Sequence, residues 1–116
     1  MSHKQAKSFL EVIEAQKKLF VGGLPERRDA ILEVFHGIQP GADPKELTTL
    51  HRPVHNVSGA GGTFGFQELS ALARPIAARL RERSEGEETR AIDSDELQSL
   101  TQELAPLLKA RSAPSP

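Results

Sequence analysis

DPKELTTLHRPVHNVSGAGGTFGF, residues 43–66, decides how this chain reads. Leu47, Leu50, Val54, Val57, Gly61 and Phe64 recur at alternating spacings of three and four, which over residues 44–64 makes one apolar or small-residue stripe on a helix. Asp43 and Glu46 spell a capping box that starts it. At about 100° per residue, His55 points about 130° from the centre of that stripe, toward solvent. Gly59 and Gly62 follow it by one and two turns on the same face and put no side chain in the way of an approaching molecule.

Three glycines so close together in a helix need a reason, because each costs about 1 kcal/mol relative to alanine. Close approach is one. Gly61 lies on the buried stripe, where it admits a neighbouring helix, and Gly59 and Gly62 leave room beside the imidazole. A frayed helix end is the other, with Gly65 as a left-handed C-cap. Pro53 and Pro75 fall inside expected helices, where each removes a backbone hydrogen bond, so those helices either kink or end sooner than their apolar pattern suggests.

Outward from this stretch the chain reads as helical throughout. From about residue 5 to 21, Phe9, Val12, Ile13, Gln16 and Phe20 approximate one face, and Gly22-Gly23 stop it. Pro25 suits the first turn of a second helix running to about Phe35, with Leu24, Ile31, Val34 and Ile38 inward. Phe66 to about Arg83 form the next helix, with Leu69, Leu72, Ala73, Ile76 and Leu80 at helical spacing. Residues 84–90 read as an exposed loop. Asp93 and Glu96 spell a second capping box, with Ile92 and Leu97 placed as a hydrophobic staple. Leu97, Leu100, Leu104, Leu107 and Leu108 give the last helix its buried face. The expected division is one domain over residues 1–111 and a flexible tail over 112–116.

Composition narrows the function classes. The 116 residues fit one small domain, and with five Phe, no Trp and no Tyr its core must be largely aliphatic. A net charge of −1 marks no nucleic-acid binder, so the expected partners are proteins. The absence of cysteine excludes disulfides, thiolate metal sites and cysteine nucleophiles. No apolar run approaches membrane-spanning length and no signal-peptide pattern opens the chain, which predicts a soluble, cytoplasmic protein with no membrane association. His51 and His55 stand four apart, as in some zinc sites, but no acidic residue accompanies them in sequence, which makes a poor metal site. His3 and His36 carry no pattern.

The run from His55 to Phe66 resembles the phosphorylation motif of histidine-containing phosphotransfer (Hpt) domains, including those of chemotaxis histidine kinases. Val57, Gly59, Ala60, Phe64, Gly65, Leu69, Leu72, Ala73 and Ile76 fall where that family's pattern places them. The resemblance implies an all-α, antiparallel four-helix bundle, here with an additional N-terminal helix or helical extension. The family's first long helix also resembles the segment up to Phe35, which makes one helix bent at Pro25 the alternative to the two separate pieces. It further implies that His55 is the phosphoacceptor, taking a phosphoryl group from a receiver-domain aspartate and passing it to another receiver, with Mg²⁺ on the receiver and no cofactor of its own. Response-regulator receivers or a sensor histidine kinase are the implied partners, and a monomer is sufficient. Two family helpers are absent: Ser58 replaces a lysine three residues after the histidine, and Ala77 replaces a Glu or Gln on the next helix. Gln67 occupies a position that is often polar or basic, and Arg74 one where chemotaxis-type domains carry a second histidine. Arg52 and Arg74 either direct positive charge toward a phosphoryl group or form solvated faces. Arg52, Asn56, Ser58, Gly59, Gly62, Gln67 and Arg74 are thus the expected surface around His55.

No Gly-rich phosphate loop with a lysine and no kinase-type motif is present, so ATP-dependent activity is not expected. Two other readings follow from the same residues: a phosphotransfer domain of a larger, chemotaxis-type kinase, and a phosphorylation-silent adaptor, which the loss of both helpers at Ser58 and Ala77 favours.

Overall fold

The computed structural model describes the backbone of residues 2–109 and the side chains of residues 8–109; the tail expected over 112–116 lies outside them. Helix α1 spans Ser2–His36, α2 Leu47–Thr63, α3 Gln67–Glu85 and α4 Ser94–Lys109, and a single 3₁₀ turn, Pro44–Glu46, leads into α2. Short connections reverse the chain between neighbours, and the result is the all-α four-helix bundle that the pattern predicted.

The break expected at Gly22-Gly23 does not occur. One 35-residue helix runs through both glycines and Pro25. Leu24, between Gly23 and Pro25, is completely buried, and Phe20, Ile31 and Phe35 on the same stripe are buried with it. Tertiary burial on both sides of the weak point outweighs local propensity. The N-terminal half departs from expectation in another way. At 1.5 Å per residue α1 is about 52 Å long, against partners of 17, 19 and 16 residues. Among the described residues nothing covers its start: Phe9, Leu10 and Val12 are exposed and Ile13 is only partly covered, and Leu19 beside buried Phe20 is exposed as well.

The other three helices bury most of the stripes their spacing predicted, with Phe64, Leu72, Leu97 and Leu108 only partly buried against the core. Leu47, Leu50, Val54, Val57 and Gly61 of α2 face Leu69, Ala73, Ile76 and Leu80 of α3 and Leu100, Leu104 and Leu107 of α4 in one core. Phe66, at the start of α3, is buried in that core with its ring 5.4 Å from that of Phe20. Pro53, Pro75 and Pro106 all lie inside continuous helices, so neither Pro53 nor Pro75 marks a boundary.

Two ends deserve explanation because they place the site. Asp43 Oδ1 accepts from the Lys45 N–H at 2.9 Å and Glu46 Oε2 from the Asp43 N–H at 3.1 Å, so the first capping box forms as expected. At the other end of α2, Gly65 takes φ +85°. The Phe66 N–H then donates to the Gly61 carbonyl at 2.7 Å and the Gly65 N–H to that of Gly62 at 3.5 Å, a Schellman stop. The second capping box forms only in part. Asp93 Oδ1 accepts from the Glu96 N–H at 2.8 Å, a bond that holds its carboxyl below the usual range. The Glu96 carboxylate instead receives Arg83 of α3, whose Nε lies 2.8 Å away. Arg83 also donates to the carbonyls of Glu88 and Arg90, stitching the α3–α4 loop to both helices.

Candidate functional site

The stripe that α2 buries leaves its opposite face over a groove of about 1200 Å³ between α2 and α3. Beneath that groove, Gly61 brings α2 and α3 close together. A Cβ there would lie 3.3 Å from the Phe66 carbonyl oxygen, 3.5 Å from the Leu69 Cβ and 3.5 Å from the Ser70 nitrogen, so the start of α3 sits against α2 where only glycine fits without displacement. Gly59, one turn from His55, has nothing within 4 Å of a would-be Cβ. The two glycines thus do different things: one admits a helix, the other keeps a surface bare.

His55 is exposed, in the middle of α2 and on the rim of this groove. Ser58, Gly59, Gly62, Arg74 and Ala77 line the groove with it. Ser58 and Ala77 are buried, so Ser58 belongs to the floor and not to the surface expected of it. Arg74 Nη2 donates to Ser70 Oγ at 3.2 Å, which fixes the guanidinium along the α3 wall. Arg52, Asn56 and Gln67 are exposed but lie outside the groove. On the helical wheel Arg52 and Asn56 fall on the outer side of His55, away from Ser58 and His51.

Several groove residues were not among those expected, and His51, Arg81 and Glu85 carry the charge and titration there. His51, partly buried, lays its ring against that of His55 with centroids 5.4 Å apart and planes 17° from parallel. Arg81 and Glu85 of α3 form an exposed ion pair at 3.2 Å on the same groove. Burial pushes the His51 imidazole below its ordinary value of 6.5; the neighbouring His55 and Arg81 add to that, and Glu85 opposes it. Ser70, Arg74, Ala77, Arg81 and Glu85 form one i, i+3/i+4 row, but the row reaches Glu85 only because α3 continues to Glu85, past the end at about Arg83 that the spacing suggested.

Among the described residues no group of three or more His, Cys, Asp or Glu side chains stands together as metal ligands, so His51 and His55 have no third donor. No helix among them is long and apolar enough to cross a membrane.

Compared with known proteins, residues 17–110 match the family model of the Hpt domain. Nothing among curated proteins and nothing among solved structures matches the chain. The family match takes in the packed half of α1 and all of α2, α3 and α4, and it leaves out the half of α1 that projects beyond them. This chain belongs to the Hpt domain family, the phosphotransfer domains of two-component signalling.

Proposed function

We propose that the protein is a phosphoryl carrier that accepts a phosphoryl group on His55 from a receiver-domain aspartate and hands it to a second receiver. The observation that carries this reading is an exposed imidazole on the rim of a groove, with no side chain at Gly59 and Gly62 to hinder a large partner. Neutral imidazole is a competent nucleophile near neutral pH. Its unprotonated ring nitrogen attacks phosphorus, the N–P bond forms as the acyl P–O bond breaks, and the receiver carboxylate leaves with the electron pair. Such transfers depend on in-line positioning and on neutralising charge at phosphorus. Rigid placement on a packed helix supplies the positioning. The receiver contributes its Mg²⁺, and the groove contributes Arg74.

The test is transfer from a panel of phosphorylated, Mg²⁺-loaded receivers to the wild type, His55→Gln and His51→Gln. The expected result is loss of all label in His55→Gln and retention in His51→Gln. Equal loss in both would remove His55 from its assigned role. No transfer from any receiver, with binding intact, would favour a kinase-dependent domain or a silent adaptor, a reading that Ser58 and Ala77 in place of the family's helpers supports.

A further inference from the structure

The groove holds a second imidazole that the phosphoacceptor role of His55 does not use. His51 stands one turn before His55, and the two rings stack with centroids 5.4 Å apart. The groups whose charges act on it are His55 on its own helix and Arg81 and Glu85 on α3; Arg74 and Glu82 of α3 line the same groove. Arg81 and Glu85 are paired with each other at 3.2 Å. Glu85 is thereby occupied. In the unmodified protein, burial first, and then the neighbouring His55 and Arg81, therefore favour the neutral form of the His51 ring.

We propose that His51 is the charge partner of the phosphorylated site: it is neutral before transfer and takes one proton from solvent when His55 carries the phosphoryl group. This rests on the reading of His55 as phosphoacceptor. A phosphoryl group adds negative charge to a ring whose centroid lies 5.4 Å from that of His51, and an opposite charge within roughly 4–6 Å favours the ionised form of a titratable group. The lysine that the family carries at the position of Ser58 is missing, and Ser58 itself is buried. His51 supplies positive charge to the same groove from the other side of His55, and only when there is a phosphoryl group to receive it. The covalent balance of transfer is unchanged; proton uptake accompanies it.

The consequence is a pH dependence absent from a lysine-bearing site. Phosphorylation of His55 is then favoured by acidification, by at most about tenfold per pH unit, over the window between the two titration points of His51.

The test follows the His51 ring by proton–nitrogen NMR through a pH titration, in the full chain, before and after treatment with phosphoramidate, a small phosphoryl donor that needs no receiver. The expected result is an upward shift of the His51 titration by about one unit or more once His55 is phosphorylated, and no such shift in His55→Gln treated in the same way. His55→Asp, with a fixed carboxylate at that position, should also titrate His51 higher than His55→Gln does. An unmoved His51 in either the phosphorylated wild type or His55→Asp would overturn the proposal. The relay reading fails separately. Receivers that never phosphorylate His55, alongside a shifted His51, would sink that reading and leave this one standing; transfer to His55 without the shift would do the reverse.

Discussion

The two faces of α2 are built from the same seventeen residues by opposite rules. On one, Leu50 and Val54 are completely buried and Gly61 is pressed against the start of α3, so each position is fixed by what touches it. On the other, His55 is exposed and Gly59 is bare, so the surface is defined by what is left out. Stability resides in the first face and chemistry in the second. A substitution should therefore damage one property and spare the other.

The largest separation is expected at His55. His55→Gln should lose all phosphoryl labelling while its unfolding free energy stays within about 0.5 kcal/mol of the wild type, as for other exposed positions. One turn away on the packed face, Leu50→Ala should lose about 2–5 kcal/mol in urea unfolding, with the folded fraction still labelled at His55. The glycines sharpen the comparison. Gly61→Val should cost about 1–3 kcal/mol, because the Phe66 carbonyl and Ser70 nitrogen are backbone atoms that cannot swing aside. Gly59→Ala has no neighbour to meet and should stabilise the helix by about 1 kcal/mol. If both glycine variants moved stability in the same direction, the division of roles between them would be wrong.

The smallest effect concerns pH. His51 titrates below its ordinary value of 6.5 in the folded chain, so the unfolded chain binds a proton that the folded chain refuses. Stability should therefore rise with pH through the window just below 6.5 and level off above it. Urea midpoints across that window should show the slope in the wild type and a weaker one in His51→Gln. An identical slope in the variant would assign the dependence to another group.

The packed face was legible in the sequence because periodicity records contacts within the core. The stripes of α2, α3 and α4, the Asp43 cap and the Gly65 stop all follow from local rules that the tertiary structure left in force. Two local readings were overridden. Burial of Leu24 carried α1 through two glycines and a proline, and Arg83 drew the Glu96 carboxylate away from its capping position. The apolar residues at the start of α1 misled for a different reason. An amphipathic pattern shows which face is apolar but not whether a partner helix extends far enough to cover it, and among the described residues none covers Phe9, Leu10 or Val12.

The groove was only half legible. Gly59 and Gly62 advertised a missing wall, and Arg74 marked the opposite one. Arg81 and Glu85 join the site only because α3 runs on to Glu85 alongside α2, a matter of helix length and crossing that no short motif encodes. Ser58 went the other way. Its place in the motif suggested surface, but its angular position next to Val57 and Gly61 turns it into the floor.

The most direct test of the central claim is intact mass with phosphosite mapping at neutral pH, after incubation with phosphorylated receiver domains. One acid-labile phosphate per chain, confined to His55, is the predicted result; phosphate on His51 or on any residue outside the groove, with His55 unmodified, would contradict it.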